Sequence, residues 1–129
     1  YLGLFETAIN QDEIVIGIKY PLLKKGQTIL FDEVCRRHGD YAMAGLIASV
    51  IVSNDKVNDL NLVFFATGDK PDIAPQTAKL FLETGYDYTK LKKSLSSEID
   101  FAGDLNSSSE MKLHLATVLI KNVLKKLEA

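Results

Sequence analysis

The sequence predicts an α+β domain in which an antiparallel sheet of three to four strands is followed by about three helices packed on one face of the sheet. Three observations predict this order. Apolar runs rich in β-branched residues fill the first half of the chain, the apolar period becomes helical after Pro71, and the C-terminal region is an amphipathic helix. The 129 residues suit one domain with its own core.

Two strands are predicted before residue 36. In "EIVIGIKY", residues 13–20, isoleucine recurs at every second position and Pro21 ends the pattern, which indicates a strand with one face largely covered. A second strand begins near Thr28. Its alternation slips by one residue after Phe31, as a bulge would produce.

Two further strands form a predicted hairpin. The run from Leu46 to Val52 is rich in β-branched residues, which favours a central strand over a helix. Asn54 and Asp55 can close a tight turn, and "LNLVFFATG", residues 60–68, is the next strand. The small apolar residues at the start of the central strand are expected to let it pass closely beneath the helices.

Three helices follow. "APQTAKLFLETG" is stopped by Gly85, and "YTKLKKSLSSEI" is a shorter helix with a solvated lysine-rich side. In the last helix, Ser107 and Glu110 form a predicted capping box. This helix has two apolar stripes. The wide stripe is interpreted as core and consists of Leu113, Ala116, Leu119, Ile120, Val123, Leu124 and Leu127. The narrow stripe is interpreted as contact with a neighbouring helix or subunit and consists of Met111, Leu115 and Val118.

Composition excludes several classes of protein. With 15 basic and 17 acidic residues the formal charge is −2, so the composition does not indicate a strongly basic face that would bind nucleic acid. No apolar run approaches the roughly 18 residues that cross a bilayer. Cys35 is the only cysteine, which precludes an internal disulfide and favours a cytoplasmic location. The opening "YLGLFETAIN" is not a signal peptide and starts as if cut from a longer protein.

Patterns for independent catalysis or metal binding are missing from the sequence. There is no glycine-rich phosphate loop, and the one cysteine and two histidines lack zinc-ligand spacing. Cys35 and His38 would lie on opposite sides of an extended strand, so they are not expected to form a nucleophile pair. His114 is expected to be a solvated helix residue. Neither a catalytic residue nor a metal ligand is therefore predicted.

The remaining polar constellation is "RRHGD", residues 36–40. Arg36 and Arg37 on a strand point to opposite sides, so that Asp40 could pair with the arginine that is drawn inward. Two interpretations stay open at this point. The pair is either a structural ion pair that closes the end of a strand or an arginine–aspartate frame beside a bound cofactor.

Three stretches in order resemble the FAD-binding medium subunit of molybdenum hydroxylases, the carbon monoxide dehydrogenase and xanthine dehydrogenase family. The first, "GLFETAINQDEIVIGIKYP", is similar to that family's passage into its C-terminal domain. "FDEVCRRHGDYAMAG" resembles its aromatic segment with Arg-Arg, Asp and Ala-x-Ala-Gly. "DLNSSSEMKLHLATVLIKNVL" resembles its closing helix, with Met111 and Lys112 in the places of Tyr-Arg.

The resemblance implies a domain that completes a flavin site without making it alone. Residues 1–12 would be the tail end of a preceding FAD-binding domain or a linker, and residues 13–129 the domain similar to the carbon monoxide dehydrogenase flavoprotein C-terminal domain. The implied cofactors are FAD, shared with the N-terminal FAD-binding domain, and molybdopterin and 2Fe–2S clusters on partner subunits. Those partners are an iron–sulfur small subunit and a molybdenum-binding large subunit, and the isolated chain would be inactive.

The resemblance also implies six cofactor-binding residues. Ile14 and Val15 match positions by the isoalloxazine ring. Asp32 matches a position beside the flavin that is lysine in some relatives. Arg36, Arg37 and Asp40 would frame the site and the domain junction. The alternative function is a non-catalytic assembly or dimerisation domain without cofactor, motivated by the narrow stripe on the last helix.

Overall fold

The computed structural model describes residues 2–54 and 56–127. Four strands form one antiparallel sheet in the order β1-β2-β3-β4, and three helices follow it in the chain. The predicted α+β class, with the helices packed on one face, is therefore confirmed. The elements are β1 Gln27–Cys35, β2 Ala42–Ser53, β3 Lys56–Phe65, β4 Asp72–Ile73, α1 Pro75–Thr84, α2 Tyr88–Glu98 and α3 Ser109–Lys125.

Alternation in β2 and β3 creates the core. Alternate residues of both strands face the helices and are almost completely buried, because α1 packs on β3 and α3 packs on β2. These residues are Ala44, Leu46, Ala48 and Val50 in β2, and Leu60, Leu62 and Phe64 in β3. The opposite face of the sheet is open among the described residues, with Phe31 and Ile73 more than half exposed.

The bulge in β1 lies later than predicted. The register between β1 and β2 shifts between Val34 and Cys35, not after Phe31. At that point the chain leaves the β1–β2 hydrogen-bond ladder and enters the turn at residues 36–41. The distortion therefore lies at the end of the β1–β2 pairing and not in its middle. At the other end of β2 the chain turns through Asn54, whose φ is 53°, into β3. The expected hairpin is thus present, and Asp55 lies outside the described residues.

Three of the helix ends carry recognisable capping residues. Gly85 closes α1 at a φ of 70°, and Asp87 caps α2 by accepting from the Lys90 backbone N–H at 3.1 Å. The predicted capping box at Ser107 is wrong by one residue. Ser108 is the N-cap of α3 and accepts from the Met111 backbone N–H at 3.2 Å, because Ser107 is held inside the preceding loop.

The wide apolar stripe of α3 is core, as predicted. Ala116, Leu119, Ile120 and Val123 are fully buried. The narrow stripe is only partly covered: Leu115 packs at the edge of the core and Met111 is 46% exposed. No helix of the described residues combines the length and the apolar character needed to cross a membrane.

The strand predicted at residues 13–20 is wrong. The structure gives residues 13–24 no regular secondary structure, and Ile14 and Ile16 are 83% and 95% exposed. Among the described residues, no backbone hydrogen bond involves residues 14–23. A strand pattern requires a neighbouring strand to pair with, and no other described segment takes that position. We call residues 2–26 the N-terminal arm.

Candidate functional site

The turn that joins β1 to β2 forms one wall of a pocket. Arg36 Nη1 donates a hydrogen bond of 2.8 Å to Asn106 Oδ1, although 70 residues separate the two in sequence. The chain reverses through Gly39, whose φ of +93° favours glycine. The resulting cavity of about 390 Å³ is lined by Arg36, Gly39, Asp40, Tyr41, Met43 and Asn106. We call it the rim pocket.

The predicted arginine–aspartate pair does not form. Asp40 makes no ion pair with Arg36 or Arg37 in the part of the chain that the structure describes, and all three side chains are exposed. The reason is local. Because β1 ends at Cys35, strand alternation does not extend to the arginines and draws neither of them inward. Arg36 instead finds an amide oxygen on the loop before α3.

That loop is held by Asp104. One carboxylate oxygen, Oδ1, accepts from the backbone N–H groups of Asn106 at 2.7 Å and Ser107 at 2.9 Å. The other, Oδ2, lies 2.8 Å from Lys112 Nζ. The bond from the Lys112 side chain, followed by the bond from the Asn106 backbone, lowers the pKa of Asp104 to about 2. At neutral pH Asp104 is therefore a fixed anion that orients Asn106.

Lys112 joins the loop to the sheet. It is a buried lysine on the core side of α3, with 5% of its surface exposed, and its ammonium also donates to the carbonyl of Ala66 at 2.8 Å. Ala66 has a φ of +58° and follows β3 directly. A single side chain thus connects α3, the end of β3 and the loop that carries Asn106. Burying a lysine is tolerated because the ammonium has both a carboxylate and a carbonyl partner.

Sequence reasoning did not identify this cluster. Asp104 and Lys112 were matched only as positions in the family's closing motif, and Asn106 was given no role. Two signals could have found them: "DLNSS" is typical of an Asx-turn, and a lysine interrupts the inward side of an amphipathic helix at position 112.

Asp32 lies elsewhere. Its carboxylate is 3.5 Å from Lys126 Nζ, and the same ammonium donates to the Phe31 carbonyl at 2.8 Å. Lys126 thereby covers part of the free edge of β1, which limits pairing with other strands. The structure does not bring Asp32 into the lining of the rim pocket.

The six sequence-predicted residues fall into two groups. Arg36 and Asp40 line the rim pocket, and Arg37 is in the same turn. Asp32 and the two residues of the N-terminal arm do not line it; Ile14 and Val15 are 83% and 63% exposed. The arrangement therefore offers a guanidinium, an amide and a carboxylate at one corner, and two largely exposed apolar side chains on the N-terminal arm.

An aromatic pair marks the open face of the sheet. Phe31 and Phe65 stack with ring centroids 5.8 Å apart and an interplanar angle of 15°. Gly45 pairs with Phe65 in the ladder, and a side chain at position 45 would overlap the Phe65 ring. Small residues were expected to serve the passage beneath the helices, and Ala44 and Ala48 do face them. Gly45 instead lies on the opposite face, where the absence of a side chain leaves room for the Phe65 ring.

Comparison with known proteins identifies the family. The family model of the CO dehydrogenase flavoprotein C-terminal domain matches residues 29–127. The chain belongs to this family. The match contains all seven strands and helices except the first two residues of β1, and it contains the six residues that line the rim pocket.

Two medium chains of dehydrogenases are also similar in sequence to this chain. The chain is 28% identical to the glyceraldehyde dehydrogenase medium chain of Sulfolobus acidocaldarius, over 97% of this chain and 45% of that protein. It is 24% identical to the carbon monoxide dehydrogenase medium chain of Afipia carboxidovorans, over 100% of this chain and 46% of that protein. The chain thus spans about half the length of these relatives.

A solved structure has the same fold. A chain of CO dehydrogenase from Oligotropha carboxidovorans superposes with a TM-score of 0.83 at 22% sequence identity, over 97% of this chain and 45% of that one. The similarity in fold to that chain therefore extends over nearly all of this chain.

Proposed function

We propose that this chain is the C-terminal part of the FAD-binding medium chain of a molybdenum-containing dehydrogenase, and that it completes the flavin site of that enzyme. The observation that carries the proposal is the similarity to medium chains over almost the whole chain, together with the family match over residues 29–127. Because both relatives are dehydrogenase subunits, they favour this function over the alternative of an assembly domain without cofactor.

The residues of the rim pocket suit the edge of a flavin. Arg36 and Asn106 carry N–H groups that can donate to carbonyl oxygens, and their mutual hydrogen bond fixes both side chains before any ligand arrives. Tyr41 is fully exposed beside them and Met43 adds an apolar wall, so both can exclude water from a bound ring. When bound, FAD supplies the redox chemistry that passes electrons from iron–sulfur clusters to an external acceptor.

The N-terminal arm supports a two-part site. Ile14 and Val15 are the proposed contacts to the isoalloxazine ring, and their exposure leaves them available to it. The backbone groups of residues 14–23 have no partner among the described residues, so these residues can pair with a preceding FAD-binding domain. The boundary proposed at residue 13 is compatible with this arrangement, although the compact fold begins only at Gln27.

The wider assembly follows from the proposed identity. An iron–sulfur small subunit would deliver electrons, and a large subunit would hold molybdopterin and choose the substrate. Arg37 and Asp40 are proposed to frame the flavin site and the junction to the preceding FAD-binding domain. Asp32 remains a proposed position near the flavin, and the complex is proposed to be cytoplasmic.

The test uses the medium chain in its native complex. Arg36→Gln is expected to lower the FAD content per complex and to shift the flavin absorption band, because it removes the guanidinium that is held by Asn106. Lys93→Gln removes the same charge from an exposed position on α2 and serves as the control.

Two results would contradict the proposal. One is a native complex that contains this chain but no flavin, iron or molybdenum. The other is an equal FAD content and an unchanged flavin spectrum in the Arg36→Gln and Lys93→Gln complexes, which would remove the rim pocket from the flavin site.

A further inference from the structure

A second cavity lies at the hairpin end of the sheet. It has a volume of about 570 Å³, which is within the range of small-molecule sites. Val52 of β2 lines it, whereas Met43 at the other end of β2 lines the rim pocket. Met43 and Val52 are nine positions apart in the strand, which corresponds to about 30 Å. We call this second cavity the hairpin-end groove, and it shares no lining residue with the rim pocket.

The floor and walls of the groove are apolar. Val52 and Val57 flank the β2–β3 turn, Phe81 comes from α1, and Leu124 comes from α3. Val57, Phe81 and Leu124 belong to or border the hydrophobic core, so they are fixed by packing. A hydrocarbon chain or an aromatic ring placed here would leave water without requiring the fold to rearrange.

Two ammonium groups line the same groove. Lys121 and Lys125 are one helical turn apart on α3. Of the described residues that line the groove, none is acidic, and the ion pairs found in residues 2–54 and 56–127 involve other lysines. The described lining of the groove therefore carries two positive charges and no negative charge.

Tyr86 adds an aromatic wall without adding negative charge. Lys121 Nζ lies 5.5 Å from the centroid of its ring, a cation–π contact that holds the ammonium over the groove. Burial, and secondarily the repulsion that a Tyr86 phenolate would meet from an ionised Tyr88, raises the pKa of the Tyr86 phenol, which stays neutral at physiological pH. An apolar cavity with two cations and no anion in its described lining complements a ligand that has an apolar body and one anionic head.

We propose that the hairpin-end groove binds a small amphipathic carboxylate, with its hydrocarbon body against Val57 and Phe81 and its carboxylate between Lys121 and Lys125. This site goes beyond the proposed function and does not depend on it, because none of the residues that line the groove is among those proposed to contact FAD. Carboxylate recognition by the lysine pair sets the specificity, and the apolar lining contributes most of the affinity.

The experiment measures binding of sodium octanoate to the full chain by ¹H–¹⁵N and methyl NMR titration. Saturable shifts are expected at Val52, Val57 and Leu124. The double variant Lys121→Gln/Lys125→Gln is expected to bind octanoate about tenfold more weakly, since each partly exposed ion pair contributes up to about fivefold. Lys25→Gln/Lys93→Gln changes the charge equally at exposed positions outside the groove and is expected to bind like the parent.

Two further measurements keep the test independent of folding. Uncharged 1-octanol has the same hydrocarbon body and is expected to bind several-fold more weakly than octanoate. Val52→Glu, at a side chain that is 37% exposed, places a carboxylate beside the lysines and is expected to weaken octanoate binding while the remaining spectrum stays folded. The proposal is overturned by octanoate shifts that do not saturate, by equal affinity for octanol, or by equal losses in the two double-lysine variants.

Discussion

Lys112 Nζ lies 2.8 Å from Asp104 Oδ2, and this ion pair connects the buried face of α3 to the loop that carries Asn106. The two ends differ in exposure: the Lys112 side chain is 6% exposed and that of Asp104 is 43% exposed. Most of the cost of breaking the pair therefore falls on the buried lysine. The rim pocket depends on this contact although Lys112 does not line it.

Lys112→Met is expected to lower the free energy of unfolding by about 2–4 kcal/mol, because Asp104 and the Ala66 carbonyl lose their charged donor. Urea denaturation followed by circular dichroism measures the change. Lys112→Arg keeps the charge and is expected to recover more than half of the loss. A cost for Lys112→Met no larger than that of Lys93→Met on exposed α2 would contradict the role of this pair.

Asp104 makes stability depend on pH in the acid range. Its pKa is about 2 in the folded chain, against 3.8 for an ordinary aspartate. A lowered folded pKa means that the stabilisation is fully present above about pH 4 and is lost as the pH falls towards 2. The difference in urea midpoint between the parent and Asp104→Asn should therefore shrink over that interval. Carboxyl ¹³C NMR gives the pKa directly, and titration of Asp104 near 4 would refute the prediction.

The glycine beneath the aromatic pair predicts a specific steric cost. Gly45→Ala places a methyl group against the Phe65 ring, so it is expected to destabilise the chain by about 1–3 kcal/mol. Gly17→Ala is the matched control, because nothing lies within 4 Å of a side chain at that position of the N-terminal arm. Adding Phe65→Leu to Gly45→Ala should restore part of the stability. If both alanine variants unfold at the same urea concentration, the steric explanation is wrong.

The exposed N-terminal arm predicts where proteases cut first. Lys19, Lys24 and Lys25 are exposed and lie outside regular structure, so brief trypsin treatment should release a core that begins at residue 26. Mass spectrometry identifies the products. A chain of residues 26–129 is expected to have the urea midpoint of the full chain, since no core residue lies in the arm. Early cleavage within α3 at rates like those in the arm would argue against this division.

Much of the fold was accessible from local patterns. The three helices and the β2–β3 hairpin were predicted because their turns carry their own chemistry: Gly85 stops α1, and Asn54 enters the turn with a positive φ. The resemblance to medium subunits was also carried by local motifs, and the match over residues 29–127 confirms the family. The site residues implied by that resemblance stay predictions.

Local sequence patterns gave wrong predictions where the structure of a segment depends on a strand or side chain outside that segment. Isoleucine at every second position predicts a strand at residues 13–20, yet without a pairing strand those backbone groups stay open to solvent. Arg36 and Asp40 are close in sequence, yet the end of β1 at Cys35 turns Arg36 towards Asn106. Seventy residues separate that donor from its acceptor, and no periodicity connects them.

The sequence by itself therefore determined the order of strands and helices, the face of α3 that enters the core, and the family, because these follow from patterns within single segments. Only the tertiary structure decided the contents of the rim pocket, the burial of Lys112 and the position of Phe65 over Gly45. Each of these depends on side chains from segments distant in the chain, and their contacts exist only after the helices have packed on the sheet.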